Sequence, residues 1–433
     1  MDHARFQARF KELENRIKKW RVMKLGFIEN RMRVRERDRS STSAEYRHAR
    51  SVTSSPAHRP SYIGCLTSPM ERKKILTLPM QASPSRRDVE NEQIDEELDR
   101  FAAKSGFITT DGNCERIELE DVDIIEVLGK GSCGIVELAR IGKKEVAVKT
   151  MRKNENKEEK RRILRDLQIM TSSSHPNIVS SFGFFMSTTS VKMCMELMTT
   201  CCEKLLRRLY HSEKQEFFPE VVLGRIAVSV ISALDYLNDE HSVIHRDIKP
   251  SNILFDWNGN VKICDFGISG YLSQSTVLSK NEGCPPYMSP ERLHSETSSS
   301  YDCRSDVWSL GVTLFQLASG RYPFPLDKIE FQTLSIIADK SICSPSLAEE
   351  GNFSPSCSHF VDLCMQKEVL KRPKYKQLMI QHFYLAHGDC SSNNVTGTDG
   401  NQQKTVAEWL KTVISMTNPA HEHLKIPNAP NYA

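Results

Sequence analysis

The chain has 433 residues, 39% of them apolar and 26% charged, with a formal net charge of +4. That length and apolar share suffice for one large two-part domain plus tails, and they exclude a collagen-like or largely disordered chain. The charge is uneven: residues 1–40 hold 13 Lys/Arg against 6 Asp/Glu, so the remainder is slightly acidic.

The most apolar helical pattern, residues 221–237, is interrupted by Arg225 and Ser229 and carries Asp235. It reads as a buried helix, so no transmembrane segment is expected, and no secretory leader either. Thirteen cysteines without paired C-x-x-C units point to reduced thiols, hence a cytoplasmic and also a nuclear setting rather than a disulfide framework or zinc site. The basic tail lacks an aromatic platform, so no nucleic-acid partner is expected.

In chain order, Phe6, Phe10, Leu13, Ile17 and Trp20 follow a 4-3-4-3 spacing, the stripe of an amphipathic helix that could dock a partner or an anionic membrane. Residues 38–62 and 79–99 are polar and read as linkers. The whole of 1–119 is therefore expected to be largely disordered, with one island at 70–80, "MERKKILTLPM". There Arg72, Lys73 and Lys74 precede Ile75, Leu76 and Leu78. As an extended peptide this places basic heads on an acidic patch while Leu76 and Leu78 enter apolar pockets; a plain surface basic cluster is the alternative.

From Ile117 short alternating β-type runs follow one another, with one helical insertion at 155–170. After residue 200 helical patterns dominate, at 220–240, 302–319 and 356–366. The expected fold class is α+β: a small β-rich lobe over 120–198, a larger helical lobe over 199–385, and a C-terminal tail over 386–433.

Leu128, Gly129, Lys130, Gly131, Ser132, Cys133, Gly134, Ile135 and Val136 form a G-x-G-x-x-G turn. Glycines there let backbone N–H groups approach phosphates. A strand follows the turn instead of a helix, which argues against a dinucleotide-binding turn. Lys149 in "VAVK" falls at a buried strand position, where an ammonium requires anions beside it, a phosphate and a carboxylate. Asp166 in the intervening helix is the expected carboxylate, with Glu158 and Glu159 as competitors. In "HRDIKPSN", Asp247 can take the proton of an attacking hydroxyl, Lys249 can neutralise the transferring phosphoryl group, and Asn252 can supply a metal-ligand oxygen. Asp265 of "DFG" offers a second hard oxygen for Mg²⁺.

In this order, the motifs resemble the eukaryotic protein kinase family over about residues 120–385, which implies its bilobal fold and ATP as co-substrate with Mg²⁺. The resemblance implies structural roles for Ser289, Pro290 and Glu291, for Arg372 as the buried partner of Glu291, and for Asp306 as a brace of the catalytic loop. It makes Met195 the residue controlling the back pocket and Glu196, Leu197 and Met198 the hinge whose backbone would hydrogen-bond adenine. Val136, Ala147 and Leu254 would sandwich the base, and Cys201 would lie at the rim, reactive or inert. Asp166 departs from the family's usual Glu by one methylene.

"HRDIKPSNIL", "KICDFGISGYL" and "GCPPYMSPERL" resemble the dual-specificity mitogen-activated protein kinase kinases. "NKEEKRRILRDL", "MELMTTCCEKL", "RPKYKQL" and "TVAEWLKTVI" are most similar to the seventh type, which activates c-Jun N-terminal kinase. The resemblance implies transfer of the γ-phosphoryl to Thr and Tyr in a c-Jun N-terminal kinase-type MAP kinase, gripped through 70–80. It also implies an upstream kinase kinase kinase, a scaffold protein, and activation by phosphorylation at Ser275 and Ser279. A tail helix near 404–416, around Trp409, would dock the upstream kinase or simply pack on the large lobe. A kinase kinase of the p38 branch and a catalytically silent scaffold are the alternatives. Pro285 and Pro286 in the substrate-facing loop depart from the family's pattern.

Overall fold

Alternation of apolar and polar residues from Val122 onward yields an antiparallel sheet whose two faces are buried in different cores. The computed structural model describes residues 86–131, 134–153, 156–212, 217–266, 270–271, 284–293, 302–325, 330–388 and 398–418, all within the unit Ala82–Ala433. The N-terminal stripe, the 70–80 island, Ser132, Cys133, Ser275 and Ser279 lie outside the described residues.

The small lobe comprises α1 (Arg86–Ala102), β1 (Phe107–Thr110), β2 (Asn113–Arg116), β3 (Val122–Gly131), β4 (Gly134–Ile141), β5 (Lys144–Arg152), α2 (Lys157–Ser172), β6 (Ser181–Met186) and β7 (Ser190–Glu196). Its seven strands run in the order β2-β1-β6-β7-β5-β4-β3. On β5, Val146 and Val148 join an outer cluster with Ala139, Ile141 and Cys194. The alternate residues Ala147, Lys149 and Met151 turn to the other face, so strand periodicity alone puts the lysine inside.

Residues 86–119 depart from the largely disordered segment expected there, and the linker expected at 79–99 is helical from Arg86. Ile94, Leu98 and Phe101 form a narrow stripe; Leu98 is buried, and the Phe101 ring lies 5.9 Å from Phe184. Asp95 pairs with Lys160 at 3.0 Å and Glu97 accepts from Gln168 at 2.8 Å, which ties α1 along α2. Three apolar residues among many charges carry little local signal; the surface that makes them a helix belongs to α2 and β6. The β1–β2 hairpin turns at Asp111 and Gly112, both with positive φ, a tight turn suited to Asp-Gly. Asp111 is tied to Lys144 at 2.8 Å.

The large lobe contains β8 (Thr200–Cys201), α3 (Cys202–Tyr210), α4 (Glu220–His241), β9 (Val243–Ile244), β10 (Ile253–Phe255), β11 (Val261–Ile263), β12 (Gly270–Tyr271), α5 (Pro290–Leu293), α6 (Arg304–Ser319), α7 (Glu330–Ala338), α8 (Pro355–Cys364), α9 (Tyr375–Met379), α10 (His382–His387) and α11 (Thr398–Met416). Helices α4 and α6 form its centre and are apolar on nearly all sides. Ser242 and Gly320, in left-handed conformation, end them. Ser354 caps α8 by accepting from the Cys357 N–H, with Pro355 at the first helical position. Among the described residues no helix is long and apolar enough to cross a membrane.

Gly183 is where β1 meets the sheet. Its φ is +139°, and a Cβ there would lie 2.3 Å from the Phe107 carbonyl oxygen. We predict that Gly183→Ala lowers unfolding free energy by about 2 kcal/mol or more. An unchanged denaturant midpoint would contradict this account of the hairpin.

Candidate active site

The glycine turn is built by pairing β3 with β4, Gly129 opposite Val136 and Gly131 opposite Gly134. Gly129 faces open space: an added Cβ would meet nothing within 4 Å. Gly134 is demanded by packing, since with φ at +134° its Cβ would fall 2.2 Å from the Thr150 carbonyl oxygen. Leu128, Ile135 and Val136 are half-buried and Lys130 is exposed. Ala147, opposite Met195 in the sheet, is buried, as Met195 is. Leu254, on β10 opposite Cys201, is half-buried. The residues expected to sandwich a base thus come from the small-lobe sheet and from β10 of the large lobe.

At the hinge Glu196 ends β7, and Leu197 and Met198 follow it, half-buried. The Glu196 carboxylate accepts from the Ser180 N–H and from Lys262 Nζ, each at 2.6 Å. These bonds fasten the end of the small lobe to β11.

Behind the glycine turn, Lys149 Nζ lies 2.6 Å from Asp166 Oδ2 and 2.8 Å from Asp265 Oδ1. Helix α2 therefore comes close enough for the shorter Asp side chain to reach. One ammonium faces two carboxylates, and they respond differently. Burial raises the Asp166 carboxyl more than Lys149 lowers it. Burial pushes Asp265 up as well, but Lys149, joined by Lys249 and His245, outweighs it and holds that carboxyl below the usual range. Asp265 keeps 24% of its side chain exposed, against 2% for Asp166, so its carboxylate also has an open side. Asp265 adopts φ +73°, and Phe266 behind it is fully buried with its ring 5.2 Å from His245.

In the catalytic-type loop, Asp247 Oδ2 accepts from Lys249 Nζ at 2.8 Å and Asn252 Nδ2 at 2.9 Å. Asn252 Nδ2 also donates to the Asp247 carbonyl at 2.9 Å. This holds the carboxylate by one oxygen. The other, Asp247 Oδ1, is buried without a hydrogen-bond partner among the described residues. Burial would lower the Lys249 ammonium, but the Asp247 carboxylate prevails and raises it, so it stays charged. Asp265 and Asn252 offer hard oxygens of the kind Mg²⁺ takes alongside phosphate and water. Among the described residues no cluster of three or more His, Cys, Asp or Glu side chains could hold a metal on its own. The donor set thus fits a metal that arrives with a polyphosphate.

The fully buried Asp306 holds the loop from below. It accepts from the His245 and Arg246 N–H groups at 2.8 and 2.7 Å and from the Tyr375 hydroxyl at 3.1 Å. Arg246, buried and at φ +71°, keeps this shape with the help of Arg292, which donates to its carbonyl at 3.3 Å. Glu291 and Arg372 form a two-pronged pair at 2.8 and 3.2 Å. Arg372 also donates to the Gln366 and Arg304 carbonyls and stacks on Trp308.

Lys262, Tyr375, Arg292 and Arg304 were not singled out from sequence. Only Lys262 had a usable signal, its outward position on a short strand. Cys201 is not a reactive rim thiolate, because burial pushes its thiol up to about 11. Trp409 is turned onto the large lobe, 5.0 Å from Phe218 and 6.4 Å from Phe255, with Val406 and Leu410 fully buried beside it. Of that helix, Lys404, Glu408 and Lys411 remain outside.

Arg372→Met should cost about 3–5 kcal/mol, because it strands the Glu291 carboxylate. The double variant Glu291→Met with Arg372→Met should recover part of that loss in urea unfolding. A single variant as stable as the parent would remove the pair from the account.

The protein kinase domain model matches residues 122–385. The chain is 52% identical to the dual specificity mitogen-activated protein kinase kinase jkk-1 of Caenorhabditis elegans over 99% of both chains. It is 43% identical to mek-1 of the same organism over 65% of this chain and 79% of that one. It is also 38% identical to dual specificity mitogen-activated protein kinase kinase 7 of Rattus norvegicus, over 85% and 82%. These matches, over a chain whose buried lysine is held by two aspartates and whose Asp247 is held by Lys249 and Asn252, show that it belongs to the protein kinases and, among them, to the dual-specificity mitogen-activated protein kinase kinases resembling the seventh type.

Proposed function

We propose that this kinase kinase transfers the ATP γ-phosphoryl to Thr and Tyr in the activation loop of a c-Jun N-terminal kinase-type MAP kinase. The observation that carries the chemistry is the buried Asp247 Oδ1, which has no hydrogen-bond partner among the described residues. It is the acceptor a substrate hydroxyl would meet, on a carboxylate oriented through its other oxygen by Lys249 and Asn252. Lys149 would bind phosphate oxygens, with Asp166 keeping its ammonium in place. Lys249 would meet the charge on the group in transfer. Mg²⁺, held by Asp265 and Asn252 together with ATP, would supply charge neutralisation on the phosphates. Positioning does most of the work, which suits Thr and Tyr acceptors alike, since they differ in reach and not in phosphoryl chemistry.

The choice of branch is supported by the segments quoted above, spread over both lobes, and by the relation to the seventh type. Arg72, Lys73, Lys74, Leu76 and Leu78 would grip the downstream kinase and raise the local concentration of its loop at Asp247. Phosphorylation at Ser275 and Ser279, each adding roughly −1.5 to −2 of charge, would order the loop against Arg246 and align the Glu291 turn. An upstream kinase, with a scaffold protein beside it, would supply that modification. Since Trp409 is engaged by the large lobe, docking at the tail would use the outer face of α11. Cysteine usage favours the cytoplasm, and the nucleus, as the setting.

The decisive assay offers inactive c-Jun N-terminal kinase and p38 side by side to the purified, upstream-activated chain. Phosphorylation of the first on Thr and Tyr is expected; preference for p38 would reassign the branch. Asp247→Ala and Lys149→Met should each abolish transfer, and undiminished transfer by Asp247→Ala would sink the mechanism. Ser275→Ala with Ser279→Ala should block activation by an upstream kinase, whereas Ser273→Ala with Thr276→Ala should not.

A further inference from the structure

Strand β3 has an irregularity at the root of the glycine turn. Its register with β4 passes from Val127 opposite Glu137 to Gly129 opposite Val136, so Leu128 has no residue across from it. A bulge of this kind takes one residue out of the ladder and bends the strand. The Leu128 carbonyl accepts a hydrogen bond from Lys204 Nζ at 3.3 Å.

Lys204 belongs to the other lobe. It is the third residue of α3, the helix that starts at Cys202 directly after the hinge. Cys201, just before that helix, pairs with Leu254, one of the residues lining the floor of the cleft. The first turn of α3 is therefore rooted in the large lobe, while Leu128 lies at the root of the glycine hairpin that, on the proposed function, would cover the phosphates. The bond joins the two lobes, from a side chain on α3 to a backbone atom at the root of the glycine hairpin, so any lifting of that hairpin would have to break it. A carbonyl as acceptor makes the contact independent of the small-lobe side chains, and the donor carries a full charge, which strengthens it.

We infer that Lys204 is a latch between the lobes: it holds the glycine-rich hairpin down and sets how long a nucleotide stays bound. Lys204 is a positioning residue and not a catalytic one, since it acts on the hairpin and not on the reacting atoms. The inference rests on the reading that this cleft binds Mg-ATP. Breaking one long, half-exposed, charge-assisted bond should speed nucleotide release by about three- to tenfold. Where lid opening limits turnover, such a change reaches the steady state as well.

The test uses the full chain and the fluorescent probe N-methylanthraniloyl-ADP with Mg²⁺, displaced by excess ADP in a stopped-flow instrument. Lys204→Met keeps the length of the aliphatic stem and removes the donor; Lys204→Arg keeps a donor. The latch predicts faster probe release and a correspondingly higher KM for ATP in Lys204→Met. It predicts an unchanged single-turnover rate at saturating ATP, and restoration of slow release by Lys204→Arg. Parent-like release from Lys204→Met overturns it, as does fast release from Lys204→Arg. A lost single-turnover rate at saturating ATP, or a lowered melting temperature that accounts for the faster release, overturns it too. If the parent chain itself fails to bind the probe, the ATP reading is what fails, and the latch falls with it.

Discussion

A buried ammonium cannot stand without counter-charge, and in this protein Lys149 obtains it from two directions at once. Asp166 reaches it from α2 at 2.6 Å and Asp265 from the loop after β11 at 2.8 Å. Each contact imposes a condition on the rest of the fold. The first requires α2 to lie close to β5, closer than a Glu would require, and the stripe of α1 with its two polar ties presses on the outer side of α2. The second requires Asp265 to hold a left-handed backbone conformation that an ordinary loop would avoid, at about 1 kcal/mol or more. The cluster has one more negative charge than positive, and Asp265 is the half-open member. That asymmetry leaves the site ready for a cation arriving with phosphates.

The large lobe supplies the rigidity that such a site depends on. Asp306 is 0% exposed and commits both carboxylate oxygens to the backbone N–H groups of His245 and Arg246. It thereby holds Arg246 in its left-handed conformation and fixes where Asp247 emerges. A second buried charge pair, Glu291 with Arg372, anchors the turn after the substrate-facing loop to the end of the lobe. Paired and hydrogen-bonded ions of this kind contribute little net stability, but removing one partner is costly, so they specify geometry. Tyr287, Tyr322 and Ser309 complete the anchoring around Pro286 through their hydroxyls. Pro285 and Pro286 thus sit on a firmly held base.

Much of this was legible from residue order. Period-two alternation put Lys149 inside, and period 3.6 located the helices at 220–240, 302–319 and 356–366 to within a few residues. Asp247 and Asn252, five residues apart in one motif, are hydrogen-bonded at 2.9 Å. What escaped were features whose signal lies on another part of the chain. Helix α1 is mostly charged, and its stripe of Ile94, Leu98 and Phe101 means little until Phe184 and α2 are placed against it. Gly183 looks like an ordinary strand glycine until the Phe107 carbonyl arrives 2.3 Å from where its Cβ would be. Cys201 offered a thiol of undecided reactivity, and burial decided it.

By itself the sequence determined the chemistry that was possible: which side chains could carry charge, which strand faces turned inward, and where glycines would free the backbone. Those properties are local, set by side-chain type and by the periods of helix and strand. Only the tertiary structure decided which charges meet and which oxygen stays unspent. Asp166 at Lys149, Trp409 packed on Phe218 and Lys204 reaching the Leu128 carbonyl all join residues well separated in the chain. Contacts of that kind exist only once the lobes have closed on their cores, because hydrophobic burial brings the elements together without regard to sequence distance.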